Sequence, residues 1–313
     1  MTPKVLYVHP LSNRPLIAVE TGFYEPLSGD FFKIINGIPR FCGSENYSKS
    51  FGYQWNLFDK TQIDAYSGTS QSESRFYKET AWNSADLTDR SVLEVGSGAG
   101  RFSEVFLRTT KGILHSVDYS DAVEANMRNN SKYGGRLILA QASIYELPYA
   151  NNSFDRVFCL GVLQHTPSFE KAVMSLISKT KEGGEIVVDF YSINGWYTKI
   201  HSKYLLRPIT KRMPKLLLLQ LIRLNIWWMI GLFDLLCWLN LGFLTRFIPI
   251  TDLRGFPRDL CRSSRREWAI MDTFDCFSPQ FDKPQRLIDV ANMFKRHGCD
   301  LIFAGQIYHS SGY

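Results

Sequence analysis

Three glycines stand at alternate positions in Glu94-Val95-Gly96-Ser97-Gly98-Ala99-Gly100. A β-prone apolar run, Val92, Leu93 and Val95, precedes them, and a helical pattern beginning Arg101-Phe102 follows. A glycine turn between a strand and a helix sets bare backbone N–H groups against a ligand. Glycine lets the backbone approach closely, and the first helical amides have no partner of their own. Two further groups belong to the same chemistry. Asp118 ends a second apolar run, Ile113-Leu114-His115-Ser116-Val117. A carboxylate at the tip of a second strand can accept from both hydroxyls of a ribose. His165 lies just past Phe154-Asp155-Arg156-Val157-Phe158-Cys159, where the carboxyl ends of parallel strands line a ligand crevice. A neutral imidazole there can take the proton from an attacking hydroxyl, or it can simply bond a backbone group at a helix start near Pro167.

These groups need a parallel sheet to hold them. From 86 to 191 strand and helix patterns alternate, which predicts a doubly wound α/β sheet with helices on both faces. Its strands are Val92–Val95, Ile113–Val117, Leu137–Ala140, Phe154–Cys159 and Glu185–Phe190. A sixth, Asp300–Ala304, follows a helix from Pro284 to His297, and only Gln306 to Tyr313 is left for a seventh.

The pattern E-x-G-x-G-x-G departs from the dinucleotide loop G-x-G-x-x-G, whose third glycine would fall on Arg101. It resembles the first motif of class I S-adenosylmethionine (SAM) methyltransferases, with a Rossmann-like sheet. The resemblance extends over about 86–191, through Leu147-Pro148-Tyr149 and Ser153-Phe154-Asp155. It implies SAM as cofactor, with Glu94, Gly96, Ser97, Gly98 and Gly100 around the methionine portion and Asp118 on the ribose. Tyr119, Ser143, Ile144 and Leu160 would then meet the adenine side, Ser143 standing where the family often has an Asp. His165 is the catalytic candidate, and Gln54, Trp55, Asp272 and Asp275 are candidates for acceptor contacts.

The flanks carry weaker signals. Residues 1–50 contain two short strands, Leu16–Val19 and Phe31–Ile35, and Gly37-Ile38-Pro39. They resemble the small zinc-binding hairpin unit of many methyltransferases but lack its paired cysteines, so no metal is expected. Residues 51–85 are dense in aromatics, suited to packing or to a cap over cofactor and substrate. Residues 192–283 interrupt the α/β unit, which resumes over 284–313. This insert holds basic residues every four positions from Lys199 to Lys215, an apolar stretch from Leu216 to Ile250, and a further basic group from Arg254 to Arg266. The segment Trp268–Gln285 resembles the tail of a bacterial methyltransferase subgroup of unassigned substrate. The run Leu224–Thr245 is long enough to span a bilayer, yet Asp234 and a narrow polar stripe suit an amphipathic lid touching a membrane, or a buried packing unit.

With 313 residues and 45% hydrophobic content, the chain can bury a large core. A charge of +6 implies no nucleic-acid partner by itself. Six scattered cysteines without a C-x-x-C pair fit a reducing compartment, and the N-terminus does not read as a signal peptide, so a cytoplasmic location is expected, with peripheral membrane contact through the insert. The expectation is methyl transfer, at a hydroxyl, to a small-molecule, glycan or lipid-linked acceptor. The alternatives are SAM or lipid binding without catalysis and, third, a NAD-dependent oxidoreductase.

Overall fold

The computed structural model describes residues 7–43, 46–193, 195–257 and 259–305. The N-terminal unit is an antiparallel meander of four strands in sequence order: β1 (Ile17–Val19), β2 (Gly22–Tyr24), β3 (Phe31–Ile35) and β4 (Ile38–Pro39). The sequence reading found only the outer run and β3. The other two strands are two or three residues long, too short to show a period, and β2 begins at a glycine that strand propensity argues against. That glycine is required by packing, since a Cβ on Gly22 would fall 2.3 Å from the Phe32 carbonyl oxygen.

Tyr7, Phe23, Phe32 and Phe41 pack as one aromatic cluster, and Tyr7 meets Tyr149 of the main domain at 5.6 Å between ring centroids. After β4 the chain runs beside the main sheet, with the Phe41 amide donating to the Gln141 carbonyl at 2.7 Å. Three helices follow: α1 (Lys49–Leu57), α2 (Asp64–Ser67) and α3 (Gln71–Thr80).

The main sheet comprises β5 (Ser91–Val95), β6 (Ile113–Asp118), β7 (Leu137–Gln141), β8 (Phe154–Cys159) and β9 (Thr180–Val188). All pairs are parallel, in the order β7-β6-β5-β8-β9. Helices α4 (Arg101–Thr109), α5 (Val123–Asn130) and α6 (Phe169–Lys179) connect them. The alternation within β5 shows why both faces are covered. Leu93 and Val95 enter a core with Val173 and Leu176 of α6, while Val92 enters another with Phe76 of α3 and Val105 and Phe106 of α4. Strand order reverses between β5 and β8, and the crevice at such a switch point is where open α/β sheets bind ligands.

The insert forms α7 (Ser202–Thr210), α8 (Lys215–Trp238) and α9 (Arg262–Phe277), and α10 (Leu287–Arg296) returns to the main core through Val290, Met293 and Phe294. Helices α8 and α9 are antiparallel: Lys215 Nζ donates to the Ser278 carbonyl at 2.7 Å, and Arg265 pairs with Asp234 at 2.6 and 2.8 Å at the other end. Trp55 and Phe58, at the end of α1, join the α8–α9 core, so cap and insert pack as one unit.

The expected sixth strand is a correction. Asp300–Ala304 is not a strand, and Leu301, Ile302 and Phe303 are exposed. Apolar β-prone residues make a strand only where a neighbouring backbone completes the ladder, and this segment is not hydrogen-bonded to β9. The expected seventh strand, Gln306–Tyr313, lies outside the described residues.

Candidate active site

A continuous cleft of about 2080 Å³ runs from the carboxyl end of the sheet, between the glycine loop and helices α1 and α9, along β9 to its first residues and to 297–305. The loop owes its shape to close packing. Gly96 has φ +86°, and a Cβ there would meet Val162 at 2.2 Å. Gly98 has φ +53° and lies under the Trp55 indole, which a Cβ would approach to 3.1 Å. Asp118 holds this geometry. Its Oδ2 accepts from the Gly98 amide at 2.8 Å, and its Oδ1 accepts from the Ser120 amide and hydroxyl at 2.8 and 2.6 Å. Burial pushes the Asp118 carboxyl above its ordinary range, against these hydrogen bonds.

The opposite wall is built by long-range contacts. His165 ends a short 3-10 turn, Leu163–His165, and is buried. Its Nδ1 lies 3.0 Å from the Phe281 carbonyl oxygen. A carbonyl can only accept, so Nδ1 carries the proton and Nε2 keeps its lone pair. Nε2 is buried and has no partner among the described residues. Burial lowers the His165 pKa, with the nearby Asp275 charge opposing, so the ring is neutral. Phe51 and Tyr191 flank it at 5.0 and 5.7 Å between ring centroids. The tail that supplies Phe281 is anchored by the Lys283 amide on the Gln164 carbonyl at 2.8 Å, and by Asp282, which pairs with Lys203 at 2.5 Å. Lys203 Nζ also sits 4.1 Å from the centre of the Tyr191 ring.

Asp272 on α9 accepts from Gln62 Nε2 at 3.2 Å, and Gln62 in turn accepts from Arg101 at 2.9 Å. Burial, reinforced by Asp275, pushes Asp272 up to about 7. Gln54 is 1% exposed, and neither atom of its side-chain amide has a partner among the described residues. The same holds for Ser97 Oγ and Gln164 Oε1, both of which line the cleft.

Residues 93–188 match the family model described as a methyltransferase domain. This segment is a class I, SAM-dependent methyltransferase domain. Its cofactor is S-adenosylmethionine. The malonyl-[acyl-carrier protein] O-methyltransferase of Buchnera aphidicola is 29% identical over 120 residues, 36% of this chain and 47% of that protein. The ubiquinone biosynthesis O-methyltransferase of Pseudomonas fluorescens is 29% identical over 114 residues, 35% of this chain and 47% of that one. The tRNA U34 carboxymethyltransferase of Campylobacter hominis is 27% identical over 139 residues, 40% of this chain and 47% of that one. The chain spans about half the length of the curated relatives it matches. Among solved structures, a Haemonchus contortus phosphoethanolamine N-methyltransferase with S-adenosylhomocysteine aligns at TM-score 0.41 and 19% identity, covering 50% of this chain and 38% of that one.

The residues around the methyltransferase domain's cleft fit the cofactor: Gly96 and Gly98 leave the loop backbone bare, and the buried Ser97 hydroxyl lining the cleft lacks a partner among the described residues. Of the residues singled out from sequence, Gly96, Ser97, Gly98, Asp118, Tyr119, Ile144, Leu160 and His165 line the cleft, as do Gln54, Trp55, Asp272 and Asp275. Three do not. Glu94 is enclosed behind the loop, where its Oε2 accepts from the hydroxyls of Ser103 and of Ser116, the latter at 2.7 Å. Burial pushes its carboxyl up to about 7, so it braces the loop rather than facing an ammonium group. Gly100 serves packing, because a Cβ would meet Asn126 Oδ1 at 2.2 Å. The Ser143 hydroxyl accepts from the Tyr145 amide at 3.2 Å and turns the chain locally.

Sequence reading missed Tyr191, Lys203 and Asp282. Tyr191 was within reach of the rule that residues just past parallel strands face the crevice. Lys203 and Asp282 are separated by most of the insert, and no local signal joins them.

Proposed function

We propose that this protein transfers the SAM methyl group to a hydroxyl of a small-molecule, glycan or lipid-linked acceptor. The observation that carries the reading is the fixed tautomer of His165, whose Nδ1 donates to Phe281 and whose Nε2 keeps a free lone pair in the cleft. When bound, the cofactor supplies a sulfonium-activated methyl, so the protein's task is to orient an oxygen nucleophile and take its proton. His165 Nε2 takes that proton, and Asp275 nearby favours the resulting imidazolium. Phe51 and Tyr191 keep the ring in place and exclude water. Gln54 has an amide donor and acceptor left for acceptor hydroxyls, with Trp55, Asp272 and Asp275 forming the rest of that wall. Gly96, Ser97 and Gly98 hold the methionine portion through the loop, Asp118 accepts from the ribose with lone pairs still open, and Tyr119, Ile144 and Leu160 surround the adenine. Two relatives are named O-methyltransferases, which agrees with transfer to oxygen.

The test uses methyl-labelled SAM with panels of hydroxyl-bearing metabolites, oligosaccharides and lipid extracts, followed by identification of the labelled product. Label appearing on oxygen, and lost in His165→Ala while SAM binding persists, supports the reading. Label on nitrogen or carbon, or SAM binding with no transfer to any panel, overturns it.

A further inference from the structure

Helix α8 is apolar around most of its surface, its exposed polar residues Gln220, Arg223 and Asp234 sharing one narrow stripe with Trp227 and Trp238, and only one side is used by the fold. Leu218, Ile222, Ile226, Met229 and Phe233 form a helical stripe buried against α9. On the other side Leu224, Trp227 and Trp238 are 71%, 69% and 77% exposed. An ordinary surface helix is polar there. The neighbouring segments extend the same character: Leu205 and Ile209 of α7, and Phe243 and Phe247 just after α8, are also exposed. Tyr197, Phe243 and Phe233 line one small cavity at the C-terminal half of α8, while α7 bonds the end of α9 through Arg207 and Thr210, near the start of α8. Large apolar side chains exposed in such number on neighbouring segments mark an interaction surface.

The charge around this face is one-sided. Residues 196–250 hold eight Lys and Arg and a single acid, Asp234, whereas the whole chain carries +6. Asp234 is already paired with Arg265. Lys203 and Arg207 are buried against Asp282 and Lys215 bonds the Ser278 carbonyl, so the exposed positive charge here comes from Lys199, Lys211, Arg212 and Arg223.

We infer that the outer face of α8, with the flanking basic residues, docks in the plane of an anionic lipid bilayer. Exposed Trp and Leu enter the headgroup–acyl boundary while Lys and Arg meet anionic headgroups. A second copy of the chain is a poorer occupant, because it would set the same basic groups against one another. Crossing the bilayer is also disfavoured. By length α8 could span it. However, α9 lies along α8 from Ser278 to Arg265, and a crossing would carry the Asp234–Arg265 pair and the Arg-rich start of α9 into hydrocarbon. Helix α9 separates the docked face from the cleft and carries Asp272 and Asp275 on its inner side.

The experiment is flotation of the full chain with vesicles of phosphatidylcholine alone or mixed with phosphatidylglycerol, at low and high salt, with tryptophan emission recorded in parallel. Binding to the anionic vesicles, with a blue shift and loss at high salt, is expected. The double variant Trp227→Ser/Trp238→Ser should bind at least about tenfold more weakly while keeping the parent's SAM affinity and unfolding midpoint. The pair Lys211→Glu/Arg212→Glu should lose the preference for anionic lipid. Absence of binding at low salt overturns the inference. So does unchanged binding of the tryptophan variant, or a dimer by light scattering that this variant converts to monomer. None of these results depends on whether methyl transfer is observed.

Discussion

The two walls of the cleft treat their buried polar groups in opposite ways. Behind the glycine loop, Glu94, Ser103, Ser116 and Asn126 bond one another, with Asn126 donating to both serines at 2.9 and 3.1 Å. Asp118 is likewise supplied with three donors by the loop and Ser120. Across the cleft, Gln54, Gln164 Oε1 and His165 Nε2 are buried without partners. A buried polar atom without a hydrogen bond costs about 1–3 kcal/mol. Ser97 Oγ and Asn130 Oδ1 are exceptions on the loop side; otherwise the proposed cofactor wall is bonded internally, whereas the proposed acceptor wall keeps several groups that only a ligand or water can satisfy. Strain of this kind is what a binding site accepts and a scaffold does not.

The largest effect should break the acceptor wall alone. His165→Ala should lower the transfer rate roughly 10²–10⁴-fold with SAM affinity by calorimetry nearly unchanged. Because burial keeps His165 below its ordinary pKa, the acid limb of kcat/KM in the parent should lie below pH 6.5. A limb above that value would mean the proton is taken elsewhere. Asp118→Ala should act on the other wall, weakening SAM binding by about ten- to a hundred-fold as charge-assisted hydrogen bonds to the ribose and Gly98 are lost. Undiminished affinity would remove Asp118 from the cofactor site.

A smaller pair of changes sharpens the contrast in stability. Gln54→Leu removes two orphaned atoms at similar volume and should raise the unliganded protein's stability by about 1–3 kcal/mol in denaturant unfolding. Ser116→Ala should lower it by about 1 kcal/mol, since Glu94 and Asn126 each lose a partner. If both variants destabilise alike, the two walls do not differ as argued. The smallest effect concerns pH. The folded Glu94 carboxyl is raised from 4.5 to about 7, so the folded state holds the proton more tightly. Its contribution to stability is full below pH 4.5 and is lost as pH rises through about 7. Glu94→Gln should flatten that part of the stability profile relative to the parent, and an unchanged slope would place the carboxylate in a solvated setting.

Much of the cofactor wall was legible because its signals are local. Short apolar β-prone runs mark β5 and β6, glycines mark the turn, and Asp118 ends its strand, so five parallel strands and their loop could be placed from adjacent residues. The sequence also bounded what α8 could be, since its length and apolar character need no partner to be read. Which side of α8 is buried, and that Trp227 and Trp238 remain outside, depended on where α9 lies. Glu94 and Gly100 match the motif by type and spacing, yet α4 and α5 packing assigns them to bracing and close contact. The tautomer of His165 depends on Phe281, more than a hundred residues later, and Lys203 finds Asp282 across the whole insert. The run Leu301–Phe303 has strand composition but no backbone alongside to complete a ladder. Periodicity and turn chemistry act between neighbours and can be read from the chain. Hydrogen-bond partners, burial and side-chain protonation are set by groups that only folding brings together.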